Sequence, residues 1–239
     1  MKPVLIMRLG EPPPSVREVR GDFEVWIEAG MQDAISAFQV VDVPGGGLLP
    51  APEDLAGVVI TGSASMVSER ADWSEETAEW LTRAARLDLP MLGICYGHQL
   101  IAHALGGEVG PNPQGREIGT VPLRLQAAGD ALLGALSSEI LVQTSHSEAV
   151  LRLPQEAVGL GETDLDPNHV YRIGDRIWGV QFHPEFDQAI MRGYIEARRE
   201  ALIDEGLVPS ALLKRCADSE SAAGLLARFG QLVRGFDRS

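Results

Sequence analysis

Short, nearly unbroken apolar runs alternate with longer amphipathic stretches in the first half of the chain. Residues 4–9, 38–43, 57–61 and 90–94 carry apolar side chains at most positions, interrupted only by Arg8, Gln39, Asp42 and the small or polar Gly57, Thr61 and Gly93, as strands buried on both faces do. Residues 16–29, 74–87, 98–105 and 188–204 repeat apolar positions at helical spacing. This β-α-β alternation predicts an α/β fold with a mostly parallel central sheet and helices on both faces. From about residue 120 to 173 the long helical patterns disappear. Residues 120–125, 140–144 and 169–173 read as shorter strands, a small antiparallel part appended to that sheet, and 177–182 as one more buried strand. Asp72 with Glu75 fits a capping box for the second helix, and Asp187 an N-cap for the fourth. Pro12-Pro13-Pro14 and Pro44-Gly45-Gly46-Gly47 are connecting loops.

The pattern changes after about residue 205. Gly206 and Pro209 break the preceding helix, and residues 222–233 form another apolar-periodic one. Two parts are expected: an α/β domain over 1–204 and a helical C-terminal extension over 205–239, packed on the same domain. A homodimer or partner contact is the competing use of this tail.

Candidate chemistry concentrates where the strand over 90–94 ends. Leu92-Gly93-Ile94-Cys95-Tyr96-Gly97-His98-Gln99 puts a thiol between two glycines, at the corner of a strand and a helix. That is the layout of a nucleophile elbow, with Cys in place of Ser. A helix N-terminus favours thiolate over thiol. A thiol needs a base, and the base an orienting carboxylate. His183-Pro184-Glu185 closes the strand over 177–182, and residues i and i+2 of an extended chain share a side, so His183 and Glu185 are presented together. The remaining histidines carry less. His98 and His103 are off the spacing that sets two ligands on one helix face, so no metal site is expected there. His169 has no partner suggested by sequence.

The elbow together with Val180-Gln181-Phe182-His183-Pro184-Glu185 resembles the class I, triad-type glutamine amidotransferases, and most closely the glutaminase domain of GMP synthases. Three further segments fit. Val58-Val59-Ile60-Thr61-Gly62-Ser63 resembles the family's oxyanion strand and loop, although Ser63-Ala64 stands where the family often has Gly-Pro. Ser145-His146-Ser147-Glu148-Ala149-Val150 resembles its Ser-His-Gly-Asp-Lys-Val segment, and Arg116-Glu117-Ile118-Gly119 echoes an Arg-Glu-Phe-Gly stretch. The likeness spans roughly residues 1–195 and implies a flavodoxin-like fold. It also implies Cys95 as nucleophile, His183 as base and Glu185 as orienting group. Gly62, Ser63 and the Tyr96 amide would supply the oxyanion site, and Gln99, Ser145 and His146 would line the substrate pocket.

Composition narrows the partners. The formal charge is 20 − 34 = −14, which argues against nucleic acid and anionic membrane. No apolar run approaches the roughly 18 residues that cross a bilayer, and the start of the chain does not read as a signal peptide. Two cysteines, Cys95 and Cys216, make no disulfide framework, and the cytoplasm is the expected compartment. Only two lysines occur, Lys2 and Lys214, neither in a phosphate-binding loop, and no Ser-Gly-Gly-x-Asp segment is present. No cofactor is expected, and acceptor chemistry would sit on another polypeptide. Three functions remain open: a glutaminase feeding ammonia to a separate synthetase subunit, a γ-glutamyl peptidase or hydrolase with the same trio, and a catalytically silent regulatory domain.

Overall fold

The computed structural model describes residues 2–236; residues 1 and 237–239, at the outer bounds of the two expected parts, lie outside the description. In chain order the strands are β1 (Val4–Arg8), β2 (Phe38–Asp42), β3 (Gly57–Ile60), β4 (Met91–Ile94), β5 (Glu108–Pro111), β6 (Glu117–Leu125), β7 (Glu139–His146), β8 (Glu148–Arg152), β9 (Ala157–Glu162), β10 (Val170–Ile173) and β11 (Ile177–Val180). The helices are α1 (Pro14–Arg20), α2 (Phe23–Met31), α3 (Asp72–Arg86), α4 (Tyr96–Ala104), α5 (Gln188–Ala197), α6 (Arg199–Asp204), α7 (Pro209–Arg215) and α8 (Glu220–Phe236).

One nine-stranded sheet runs β2-β1-β3-β4-β11-β10-β9-β6-β7, and β5 pairs with β8 in a separate two-stranded sheet. The half from β2 to β11 is parallel; β10, β9, β6 and β7 are antiparallel to their neighbours. Side chains alternate between the two faces of the parallel half. Val4, Ile6, Val59, Leu92, Ile94 and Val180 belong to the cluster that holds α2, α5 and α8. Leu5, Met7, Val58, Ile60 and Met91 belong to the opposite one, with α3 and α4. Both faces are therefore dry, which is why these strands read as continuous apolar runs. The tail does not hang free: Leu225, Leu226, Phe229 and Val233 of α8 are buried in the same cluster as Ile27 and Met31 of α2.

Several expected elements are corrected. The helix expected over 16–29 is two helices, because Gly21 turns the chain at φ 88° and Asp22 starts α2 by accepting from the Phe23 amide at 2.9 Å. The helix over 188–204 is likewise two, α5 and α6, divided at Arg198. Asp72 caps nothing: it lies inside α3, whose N-cap is Ala71 with no side-chain bond. Asp187 does cap α5, accepting from the Ile190 amide at 2.7 Å. Periodicity missed β5, β8, β9 and α7, each too short or too exposed on one face to give a clear pattern. The last strand stops at Val180, so His183-Pro184-Glu185 lies in a turn beyond it and not on extended chain.

This topology places the site. β3, β4 and β11 are neighbours, with Ile60 beside Gly93 and Ile94 beside Val180. The loops leaving their C-terminal ends carry Gly62, Cys95 and His183. In open parallel sheets that is the edge where ligands bind.

Candidate active site

Cys95 occupies a backbone conformation that costs energy. It has φ 52° and ψ −101°, outside the regions a side chain prefers, and it serves as N-cap of α4. Close packing enforces the corner. A Cβ on Gly93 would lie 2.5 Å from the Gly97 carbonyl oxygen, and one on Gly97 would lie 2.4 Å from that of Ile60. Only glycine lets β3, β4 and α4 approach this closely. The Cys95 amide donates to the Val180 carbonyl at 2.9 Å, tying the elbow to β11. The first α4 bond within the helix runs from the Gln99 amide to the Cys95 carbonyl, so the Tyr96 amide has no acceptor one helical turn back.

His183 reaches Cys95 from the turn that follows β11. His183 Nδ1 is 2.7 Å from Glu185 Oε1, with both side chains buried. The His183 amide donates to the Gln143 carbonyl at 2.8 Å, which ties the turn to β7. The imidazole stacks on Phe186, centroids 4.0 Å apart and planes within 14°, and Phe23 lies near-parallel to it at 6.3 Å. Glu185 and these rings hold the imidazole in one orientation. A Cβ on Gly62 would sit 3.0 Å from His183 Cε1 and 3.7 Å from Cys95 Cβ, so the loop after β3 abuts both side chains. That loop is pinned, because the Leu9 amide donates to Thr61 Oγ1 at 3.0 Å and the Ser65 amide to Ser63 Oγ at 3.1 Å.

The electrostatics couple the two groups. Burial pushes the Cys95 thiol up, but the positive charge of His183, a hydrogen bond with that ring and the charge of His146 outweigh it, so the thiol lies below its ordinary value. Burial also pulls His183 down. The charges of Glu185 and Cys95 and the hydrogen bonds to both reverse this and raise the ring to about 10. Each group thus favours the charged form of the other, the thiolate beside the imidazolium. Cys216 is the opposite case, since burial pushes its thiol up. Iodoacetamide is therefore expected to label Cys95 at lower pH than Cys216, as read by peptide mass mapping across a pH series. Labelling of the two cysteines in step across the whole series would contradict the coupling.

The remaining expected residues gather around this pair. Ser63, Tyr96, Gln99, Ser145 and His146 line a cleft with Cys95, about 50 Å³ in volume. The Ser145 carbonyl is 3.9 Å from the Cys95 sulfur. Gln99 is largely committed, with Nε2 donating to the Glu148 carbonyl at 2.8 Å and to Gln181 Oε1 at 3.0 Å. His146 Nδ1 lies 2.8 Å from the Glu148 carbonyl, which can only accept, so this nitrogen carries a hydrogen; Nε2 faces Glu117 Oε2 at 3.2 Å. A larger cavity, about 480 Å³, opens at the turn between β10 and β11, lined by Ile173 and Ile177 among others, and no cysteine or histidine lines it.

Sequence reasoning missed some of what surrounds the site. His169 does have partners: its Nδ1 is 3.4 Å from Asp166 Oδ2 and 3.6 Å from Glu117 Oε2. Glu117, His146 and His169 thus bring three atoms able to ligate a metal within 4.8 Å of one another, all buried. Phe23 and Arg198 are also part of the surroundings. Nothing local marks either, because each comes from a helix remote in sequence. Phe186, next after His-Pro-Glu, was open to notice.

The profile of the family described as glutamine amidotransferase class-I matches residues 48–197. This chain belongs to that family. The matched span holds Gly62, Cys95, His183 and Glu185. The chain is 41% identical over 138 residues to a glutamine-hydrolyzing GMP synthase of Porphyromonas gingivalis, covering 56% of this chain and 26% of that protein. It thus spans about a quarter of the length of that relative. It is 28% identical over 162 residues to gamma-glutamyl peptidase 3 of Arabidopsis thaliana, covering 64% of each. In fold it is similar to a glutamine amidotransferase of Thermotoga maritima, with a TM-score of 0.76 at 22% identity over 98% of both chains. The family's flavodoxin-like architecture is therefore present, with helices at the C-terminal end and a small antiparallel sheet. Among the described residues no helix is long and apolar enough to cross a membrane.

Proposed function

We propose that this class I amidotransferase hydrolyses the side-chain amide of glutamine through a Cys95-His183-Glu185 triad. The observation that carries this reading is the coupling of a strained, helix-capping thiol to an imidazole that a buried carboxylate holds at 2.7 Å. The Cys95 thiolate attacks the amide carbon. The oxyanion that forms is met by the Tyr96 amide and by an amide of the Gly62-Ser63 loop; one such donor typically lowers the barrier by about 3 kcal/mol. His183 gives its proton to the departing nitrogen, and ammonia leaves a γ-glutamyl thioester on the sulfur. Water then attacks the thioester while His183 takes up a proton, and glutamate departs. The narrow cleft favours an amide on a slender, unbranched arm.

Two destinations for the ammonia and the acyl group follow from the relatives. Likeness to GMP synthases, of which this chain spans only part, supports delivery of ammonia to an acceptor site on a separate synthetase polypeptide. Likeness to a γ-glutamyl peptidase across 64% of both chains supports cleavage of γ-glutamyl bonds with water as the only acceptor. The division into an α/β domain over 1–204 and an extension over 205–239 belongs to the same proposal, as does action in the cytoplasm. One experiment separates the readings. Pure protein is incubated with glutamine and with γ-glutamyl dipeptides, released ammonia or amine is assayed, and the acyl-enzyme is trapped for mass spectrometry. A mass increase of one γ-glutamyl group on the Cys95 peptide is expected. Turnover of dipeptides without a second protein supports the peptidase. No adduct and no turnover on any substrate, with or without a synthetase, would leave only the silent domain.

A further inference from the structure

Two arginines reach the wall of the cleft that holds the nucleophile, in a chain of formal charge −14. They are not equivalent. Arg116 is neutralised, with Nε and Nη2 donating to the two Glu205 oxygens at 2.7 and 2.9 Å in a bidentate pair. Arg198 has no such partner. It stands at the turn between α5 and α6, its guanidinium carbon 5.3 Å from the centre of the Tyr194 ring. Among the described residues its guanidinium makes no ion pair and no hydrogen bond. Burial is the largest influence on it and lowers its pKa; Tyr194, Cys95 and Glu205 offset this only in part, and the nearby Arg116 charge works against them. The cation has lost much of its water without a carboxylate in direct contact among the described residues. Such a group gains most from an anion that enters the cleft.

We propose that Arg198 anchors the substrate through its α-carboxylate, so that the site selects γ-glutamyl compounds over simple amides. The inference rests on the amidotransferase reading, because it takes the carbonyl attacked by Cys95 to be the γ-carbonyl of a glutamyl unit. That unit carries its carboxylate three carbons from the attacked centre, on a flexible arm. A guanidinium offers that group a planar, bidentate partner, which the backbone amides at the elbow cannot do while they serve the oxyanion. The competing role for Arg198 is structural, a cation resting on the Tyr194 ring at the C-terminal end of α5.

Removing the carboxylate from the substrate and the guanidinium from the protein, singly and together, distinguishes the two roles. The full chain, Arg198→Ala and Arg198→Lys are assayed with glutamine and with glutamine α-amide, in which the carboxylate is a carboxamide. Arg198→Ala is expected to raise KM for glutamine about 10- to 100-fold, the size of a charge-assisted hydrogen bond, with kcat little changed and Arg198→Lys recovering part. Glutamine α-amide is expected to be poor already with the native chain and to lose nothing further. Equal losses on both substrates would overturn the anchor, since a structural defect ignores the carboxylate. A loss that appears only between γ-glutamylglycine and γ-glutamyl methylamide would overturn it too, because the anion held would then belong to the leaving group. The same four-way comparison, read as calorimetric affinity on the Cys95→Ala chain, needs no turnover. If the native chain proves inactive on every substrate, the proposed function fails while this comparison still decides Arg198; absence of any binding would overturn the anchor as well.

Discussion

Cys95→Ala is expected to abolish ammonia release from glutamine, with a loss on the order of 10⁶-fold in kcat, the size seen when the nucleophile of a hydrolase triad is removed. The fold is expected to persist. The methyl group retains the Cβ that lies 3.7 Å from the position a Gly62 Cβ would take, and the elbow backbone is set by Gly93, Gly97 and the bond from residue 95 to Val180 rather than by the sulfur. Thermal unfolding within a few degrees of the native chain, and retained affinity for glutamine, would show that chemistry alone was lost. Residual turnover near the native rate would remove Cys95 from the reaction. Because the thiolate borrows stability from His183, the variant is also expected to lower the pKa of that ring; proton NMR of the imidazole can follow the change.

The second large effect belongs to Glu185→Gln. Burial alone would pull the His183 imidazolium down, and the Glu185 charge is the largest influence that raises it again. An amide keeps the size and one hydrogen bond but loses that charge, and it permits the wrong tautomer. A fall in kcat on the order of 10⁴-fold is expected, by analogy with the same change in a serine-protease triad. The sign of the pH effect follows. With its folded pKa raised, His183 carries the proton needed by the leaving group until the pH climbs past about 10. Without Glu185 that proton is lost earlier, so the alkaline limb of the rate profile moves to lower pH. A limb that stays in place would show that Glu185 does not tune the base. Measuring kcat across pH for both proteins decides the point, and KM is expected to change little because Glu185 lies behind the imidazole and does not line the cleft.

What could be read in advance divides along physical lines. The buried parallel strands were legible because both faces are dry, which leaves a run of apolar residues in the sequence itself. The elbow was legible because its constraints act between near neighbours: Gly93 and Gly97 flank Cys95 and meet each other across the turn. His183 and Glu185 were paired correctly but for an incomplete reason. They meet at 2.7 Å across a turn beyond β11, not along a strand. Helix ends were misjudged where a single residue decided them. Gly21 and Arg198 each break a pattern whose apolar periodicity continues through the break. Asp72 resembled a cap because its type and spacing were right, yet α3 begins one residue earlier and leaves it inside.

Type and spacing along the chain determined that a thiol would stand at a strand-helix corner, with an imidazole and a carboxylate close together elsewhere, in an α/β fold. Those features depend on steric and electronic properties that a few adjacent residues carry with them. The tertiary structure alone decided which remote segments meet. By setting β11 beside β4 it brought His183 to Cys95; by packing the Phe23 helix under the turn it fixed the plane of the ring. By dividing α5 from α6 it left Arg198 at the cleft with no ion pair among the described residues, while Arg116 found Glu205. Contacts between distant segments depend on the order and twist of the whole sheet, and no local pattern records them.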